Sequence, residues 1–340
     1  MTDIELRELK PFDYDLVDGW ISASQAIAAH DLPELPVPIS PRLRLRLVVP
    51  EKFTKYYRTV ALKGGTVVGS STLEHDLENN THMMWLELDV HPEHRGEGIG
   101  ARLLEHAEQT ARQVGVRTLM AEVAYNFAPA PDRVAPGKTF AAKHGYTVGQ
   151  ETIHRTKDLT FNEGPELQEL YDAACAKSEG YEVLTWSRTI PNELIEGYCY
   201  LKGRMVTDSP MGDLDFEKEE FSVERIRSEE KSLLDRGSIW LGAFARHKET
   251  GQAAGFTETH IMLGDEEHCY IGDTIVDPDH RGHRLGARLK VVNERQLSQW
   301  RPSMRYIHTW NADTNGYMIS VNEELGYRVY CTDQELQKKL

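Results

Sequence analysis

Apolar and polar positions alternate along this chain in two rhythms, and the order of those rhythms repeats. Ile4 to Leu9 alternates with the period of a half-buried strand, and Asp15 to His30 follows the period of a helix. Thr59 to Glu74 reads as a hairpin turning at Gly64-Gly65. Met83 to Val90 is an apolar run of strand length. It is followed by a helix with Leu103, Leu104, Ala107, Ala111 and Val114 on one face. A strand-like segment then ends in Tyr125-Asn126. The series restarts with a strand at Tyr181 to Trp186 and a helix at Pro191 to Met205, where proline suits a first turn. A hairpin at Ile239 to Thr259 turns at Gly251. The apolar run Cys269 to Val276, a helix and a segment ending in Trp310-Asn311 follow. Each series closes on a Gly-Tyr pair, Gly145-Tyr146 and Gly326-Tyr327. Each predicts β-α-β-β-β-α-β-α-β, with Pro165 to Glu179 as a helical connector. The expected domains are residues 1–160 and 181–340, joined by 161–180.

The repeat is also one of sequence. Val90 to Leu103 reads V-H-P-E-H-R-G-E-G-I-G-A-R-L, and Val276 to Leu289 reads V-D-P-D-H-R-G-H-R-L-G-A-R-L. Identical residues fall at identical spacing, which points to two copies of one supersecondary unit. The spacing between copies shortens before the closing Gly-Tyr pairs, so the first copy carries an insertion. Ala128 to Gly137 is its expected place, because its prolines break a helix.

The copied segment has a chemical reading. A strand ends at Val90, and a glycine-bearing loop leads into a helix N-terminus, where uncapped backbone N–H groups favour an anion. Gly96, Gly98 and Gly100 permit close approach, and Arg95 adds positive charge: together, a pyrophosphate cradle. No Gly-Lys-Ser/Thr follows, as a P-loop requires, and the glycine spacing is not that of a dinucleotide fingerprint. His94 and His280 precede the arginines and read as phosphate contacts or solvent-facing loop residues. Met83, Met84, Trp85 and Trp310 read as core. Glu217 to Glu230 reads as a solvated helix or loop, with the alternative that it overhangs an acceptor pocket.

Composition narrows the class. Charged residues make up 27% and the formal net charge is −15, without the basic balance of a nucleic-acid binder. Cys175, Cys199, Cys269 and Cys331 stand far apart with no C-x-x-C pair, which argues against a zinc cage or a disulfide scaffold. The first residues lack a signal-peptide core, and no apolar stretch approaches the ~20 residues that span a bilayer. The expectation is a cytoplasmic protein, monomer or homodimer, with no metal, nucleic-acid or membrane partner.

Arg95-Gly96-Glu97-Gly98-Ile99-Gly100 resembles the R/Q-x-x-G-x-G/A motif of the GNAT N-acetyltransferase superfamily. Asn315-x-x-Met318-x-x-Val321-Asn322-x-x-x-Gly326-Tyr327 is similar to that superfamily's N-x-x-A-x-x-L-Y-x-x-x-G-F segment. The resemblance covers nearly the whole chain in two copies, and the tandem arrangement resembles mycothiol-synthase-like proteins. It implies an α/β (mixed α+β) fold of two tandem domains, each with a mixed, mainly antiparallel central sheet flanked by helices. It also implies an acyl-CoA-dependent N-acyltransferase that takes acetyl-CoA or another acyl-CoA. A small-molecule primary amine would attack the thioester directly. The alternative is a non-catalytic acyl-CoA-binding sensor or scaffold.

The resemblance places acyl-CoA in a V-shaped gap where the strand ending at Val90, or at Val276, splays from its neighbour. Leu88 and Val90, or Ile275 and Val276, would hold the thioester and pantetheine through their backbone. Arg95, Gly96, Gly98, Ile99 and Gly100 would hold the pyrophosphate, as would Arg281, Gly282, Arg284 and Gly286. Asn126, Asn311 and Asn315 complete the expected cofactor contacts. Glu87 and Asp273 occupy equivalent positions and read as bases acting through water, or as solvated strand carboxylates. The superfamily's acidic Tyr is absent. Asn322 fills its slot in the second copy and Ala141 in the first, while Tyr317 lies nearby, a substitute or a plain helix tyrosine. Arg284 replaces the cradle glycine at Gly98, either crowding the phosphate or binding it from the side. The first copy has the better loop and the second the better final helix. One copy is expected to be degenerate, and catalysis is expected in the second.

Overall fold

The computed structural model describes residues 4–161 and 164–340. It divides into two compact units. Unit 1 holds Met1–Val123, Thr139–Val148 and Glu335–Leu340, and unit 2 holds Ala124–Lys138 and Gly149–Gln334. The chain is of mixed α/β class.

Unit 1 begins with β1 (Ile4–Glu8), α1 (Tyr14–Asp31) and α2 (Ser40–Val48). Then follow β2 (Thr54–Lys63), β3 (Thr66–Asp76), β4 (Met83–Val90), α3 (Ile99–Val114), β5 (Thr118–Tyr125) and α4 (Pro136–Lys143), the last two crossing into unit 2 at one end. The strands run in the order β1-β2-β3-β4-β5, all antiparallel except the parallel pair β4–β5. Period-2 alternation divides the core. Ala61 and Val68 pack with Ile99 and Leu103 of α3, whereas Val60, Leu62 and Val67 pack with Val17, Trp20 and Ile21 of α1 and Leu43 of α2. α3 ends on Gly115, left-handed at φ 92°, whose N–H bonds Ala111 O. Val114, expected on the apolar face, is exposed in that last turn.

Unit 2 holds β6 (Thr147–Asp158) from Gly149 onward, α5 (Pro165–Lys177), β7 (Tyr181–Ser187), α6 (Asn192–Lys202), α7 (Met205–Asp208) and α8 (Val223–Asp235). It continues through β8 (Ile239–His247), β9 (Ala253–Ile261), β10 (His268–Val276), α9 (Leu285–Trp300), β11 (Tyr306–Ala312), α10 (Gly316–Glu324) and β12 (Arg328–Lys339) up to Gln334. Its strand order is β12-β6-β11-β10-β9-β8-β7, with β10–β11 the parallel pair. Leu241 on β8 packs with Ala287, Val291 and Leu297 of α9; its neighbours Trp240 and Phe244 pack with Leu194, Ile195 and Tyr198 of α6. No helix among the described residues is long and apolar enough to cross a membrane.

The sequence repeat and the compact units are different partitions of the chain. β6, which closes the first copy in sequence, lies in unit 2 against β11, and the last residues of β12 lie in unit 1. The charge-rich stretch 217–230 is not simply solvated. Arg225, Ile226 and Glu230 of α8 are buried; Glu230 accepts the Ile190 N–H at 2.6 Å and pairs with Arg227 at 2.7 Å. Hydrogen bonding to buried partners explains why charged residues line an inward face.

A buried polar network crosses unit 2. Lys290 Nζ donates to Asn322 Oδ1 at 2.8 Å, and Asn322 Nδ2 donates to Asn311 Oδ1. One turn along α9, Glu294 accepts from Lys157 at 2.6 Å and from Tyr327 at 2.8 Å. Burial lowers the Lys290 pKa to about 7, opposed by the Glu294 carboxylate and reinforced by Lys157.

Gly98, at φ 84°, and Arg284, at φ 55°, are the left-handed residues before α3 and α9. Gly98→Ala is expected to cost about 1 kcal/mol in chemical denaturation, although a Cβ there meets nothing within 4 Å. Arg284→Gly is expected to cost nothing, because relief of strain offsets the loss of an exposed ion pair with Glu324. Equal losses at both positions would show that the backbone conformation is not the cause. The depressed Lys290 pKa lies below the ~10.4 of an unfolded lysine. Between those values the unfolded chain binds the extra proton, so stability rises with pH from about 7 towards 10. Lys290→Leu, which installs the residue at Leu104 of the first copy, should flatten that rise; an unchanged slope counts against a neutral buried lysine.

Candidate active site

In each unit one parallel strand pair parts. β4 is registered with β5 only at Met83↔Thr118, Met84↔Leu119 and Trp85↔Met120, yet β4 continues to Val90. β10 is registered with β11 at His268↔Tyr306, Cys269↔Ile307 and Tyr270↔His308, then continues to Val276. Backbone groups beyond the parting need another partner, whether water or ligand. A 3-10 turn follows each strand, at Pro92–His94 and Pro278–His280, and then the glycine loop and the helix. Neither helix has a side-chain cap, so the first-turn N–H groups of α3 and α9 remain open to an anion.

The motif arginine has the same local task in both copies. Arg95 Nε donates to Val90 O at 3.0 Å and Arg281 Nε to Val276 O at 3.2 Å, tying the loop to the last strand residue. Arg95 also grips Asp31 at the end of α1 through both terminal nitrogens, at 2.9 and 2.6 Å. Its charge is therefore shared with a carboxylate. Arg281 reaches only Asp208 O, at 3.5 Å. Arg284 pairs with Glu324 of α10 at 2.6 Å. Gly96 and Gly282 are left-handed, at φ 81° and 85°. Ile99, Ile275 and Val276 are buried, so only their backbone is available to a ligand. Gly100 packs beneath Phe140, 3.3 Å from where its Cβ would stand; the Tyr317 hydroxyl stands 4.0 Å from the same point on Gly286. Burial raises the Tyr317 pKa, opposed by Arg284 and Arg281.

In unit 1, Leu86, Leu88 and Val90 turn to the α3 side, and Glu87 and Asp89 share the other face. Glu87 is exposed and accepts from Arg46 of α2 at 3.2 and 3.1 Å. The Asp89 side chain is also open to solvent. Although solvent reaches the residue, the protein packed around its carboxyl pushes the pKa up to about 6, helped by the like charges of Glu87 and Asp31 and opposed by Arg95 and Arg46. Alternation in L-E-L-D-V was the available signal for Asp89, which sequence reasoning passed over for Glu87.

In unit 2, Asp273 and Ile275 hold the equivalent positions. Asp273 is ion-paired with Lys202 of α6, and Lys202 also reaches Glu258 of β9 at 3.3 Å. Glu258 accepts from Tyr198 at 2.7 Å and Trp240 at 3.0 Å. Burial would raise its pKa, but the Lys202 charge, the neighbouring His260 and the Tyr198 hydrogen bond bring it down to about 2. The same two carboxylates outweigh desolvation and raise the Lys202 pKa. Ile275 is buried among Tyr198, Trp240 and Phe256. Sequence reasoning did not find Lys202 or Glu258, whose meeting with Asp273 is tertiary. Asn322 is fully buried, its amide committed to Lys290 and Asn311. Asn315 caps α10, its side chain accepting from Met318 N. Asn126 is left-handed at φ 52° and belongs to unit 2. His280 meets the Tyr181 hydroxyl at 3.1 Å, and His94 meets Glu97 at 3.4 Å. A cleft of about 570 Å³ lies between α6 and residues 218–223, lined by Glu196, Tyr200, Arg204 and Phe221.

Comparison with known proteins agrees with this geometry. A mycothiol acetyltransferase of Nocardiopsis dassonvillei is 25% identical over 306 residues, 86% of this chain and 84% of that protein. A tandem GNAT protein from the clavulanic acid biosynthesis pathway, solved without acetyl-CoA, superposes with a TM-score of 0.81 at 26% identity. That match covers 99% of this chain and 98% of the other. A GNAT N-acetyltransferase from Sphaerobacter thermophilus shares the fold, with a TM-score of 0.63 at 15% identity over 99% of this chain and 95% of its own. Residues 27–132 and 208–327 each match the acetyltransferase (GNAT) family. The chain, a tandem N-acetyltransferase, belongs to the GNAT family.

Proposed function

We propose that this enzyme moves an acetyl group from acetyl-CoA to the primary amine of a small molecule, and that the transfer takes place in the first copy. The observation that carries the reading is the open carboxylate Asp89 beside the parted strands of unit 1, where the second copy has buried Ile275. The first-turn amides of α3 would receive the pyrophosphate, and the backbone of Leu88 to Val90 would face the thioester. With Glu87 paired to Arg46 and Asp31 to Arg95, Asp89 leaves that side of β4 with an excess of negative charge, which favours an ammonium acceptor. A carboxylate with a pKa of about 6 suits removal of the ammonium proton near neutral pH. The free amine then attacks the thioester carbon and the C–N bond forms; the tetrahedral nitrogen releases its second proton to solvent as the C–S bond breaks, and the CoA thiolate takes a proton from solvent. Ala141 stands in the slot of the family's acid and donates nothing. In the second copy, Asp273, Asn311 and Asn322 are committed to internal partners. This reading reverses the expectation of catalysis in the second copy.

Calorimetric titration with acetyl-CoA tests the cradle. Gly98→Asp, which adds a negative charge at a left-handed position, is expected to weaken binding at least tenfold, about 1.4 kcal/mol. Gly286→Asp is expected to leave that site within a few-fold. The opposite pattern would put the tight cofactor site in the second copy.

The base is tested by thiol release from acetyl-CoA with a panel of primary amines. Asp89→Asn is expected to lower kcat on the order of 10²–10⁴-fold without weakening acetyl-CoA. It should also remove the rise of kcat/KM through about pH 6. Asp273→Asn should stay within a few-fold of wild type; loss of turnover there, with Asp89→Asn active, would return catalysis to the second copy.

A further inference from the structure

Three side chains that acyl transfer does not use meet inside unit 2. His154 of β6 and Cys331 and Asp333 of β12 are 3%, 1% and 2% exposed, with one donor atom of each within 4.8 Å of the others. Cys331 Sγ lies 3.6 Å from His154 Nδ1 and 3.6 Å from Asp333 Oδ1. We propose that His154, Cys331 and Asp333 bind one divalent cation of the zinc class and that this ion staples β6 to β12.

Geometry supports the assignment. Zn–S near ~2.3 Å and Zn–N or Zn–O near ~2.0–2.1 Å, at tetrahedral angles, put ligand atoms about 3.5 Å apart. Both sulfur edges of the cluster have about that length. Cys331 and Asp333 are two residues apart on one strand and so project on one face. Three protein ligands leave one position for water.

Charge supports it independently. The buried Asp333 carboxylate accepts from Trp310 Nε1 at 2.9 Å through Oδ2 and meets the Cys331 sulfur through Oδ1. No cationic side chain among the described residues pairs with it. A carboxylate so deep is costly without a counter-charge. A thiolate, a neutral imidazole and a carboxylate around a divalent ion sum to zero. Binding breaks the Cys331 S–H bond, forms a metal–sulfur bond and releases the proton to solvent, with no change of oxidation state.

The surroundings of His154 have the form of an outer ligand shell. Its Nε2 is 3.0 Å from His308 Nδ1, and His308 Nε2 is 2.9 Å from His268 Nδ1. One tautomer set satisfies the chain: His154 Nε2–H donates to His308, and His308 Nε2–H donates to His268. That set leaves the His154 Nδ1 lone pair facing Cys331, the arrangement by which an outer hydrogen bond orients a ligating imidazole. Trp310 stacks on the ring at 4.1 Å and fixes its plane.

The test needs no acyl acceptor. Full-length protein is produced with zinc supplementation and assayed by elemental mass spectrometry, and chelator-treated protein is titrated with Co²⁺ alone. About one zinc per chain is expected, with an equimolar Co²⁺ complex showing a near-ultraviolet thiolate-to-cobalt band. Cys331→Ser should abolish the band and His154→Gln the stoichiometric zinc, with circular dichroism unchanged; Cys269→Ser, at a buried cysteine outside the cluster, should keep both. Should Cys331→Ser fail to fold, Asp333→Asn decides: Co²⁺ binding weakened at least tenfold supports the site, and unchanged binding overturns it. Metal no higher than in chelator-treated protein in both arms overturns the proposal. So does metal content indifferent to Cys331→Ser and His154→Gln.

Discussion

A parallel strand pair that separates after three registers is the constraint on which each copy of this chain is built. β4 leaves β5 after Trp85, and β10 leaves β11 after Tyr270. Beyond those points the inner edge of each strand has polar backbone groups without a strand neighbour, and such groups are costly unless something hydrogen-bonds them. An extended amide-bearing ligand can stand in for the missing strand. The means of parting differ. β4 keeps an unbroken register with β3 from Glu74↔Trp85 to Gly69↔Val90, whereas β10 slips against β9 between Ile271 and Thr274. Gly272 lies in that slip, where a Cβ would stand 2.8 Å from His260 Nε2 and 2.9 Å from Glu258 Oε1.

The loop after each strand is held by one device, an arginine Nε–H on the last strand carbonyl, and opens onto an uncapped helix. What the copies do on the opposite face has diverged. The first leaves Glu87 and Asp89 at the surface. The second draws Asp273 into a pair with Lys202, sets Ile275 into the α6 core, and ties Asn311 to Asn322. In each case a position that could meet a ligand is committed instead to an internal partner.

Unit 2 also buries several ionisable groups. Lys157 with Glu294 and Lys202 with Glu258 are paired ions at low exposure, worth little net against apolar replacements but costly to break singly. The histidine, cysteine and aspartate around Trp310 differ from these, because no cationic side chain among the described residues pairs with their carboxylate. The metal proposed there would resolve that imbalance and tie β6 to β12.

The sequence by itself determined what depends on near neighbours. Period-2 and period-3.6 patterns placed the strands and helices, the repeated V-x-P-x-H-R-G segment placed two loops at two helix starts, and left-handed Gly96, Gly98 and Gly282 are local backbone requirements. Residues brought together from afar were not legible. Lys202 and Asp273 stand 71 positions apart, and His154 and Cys331 stand 177 apart, so neither meeting leaves a trace in local spacing. Nor could spacing tell that β6 pairs with β11, or that the equivalent positions 89 and 275 would be open in one copy and buried in the other. Sheet pairing and helix packing settle those matters, because burial and charge pairing depend on which surfaces meet, and a pattern along the chain carries only the period of each surface.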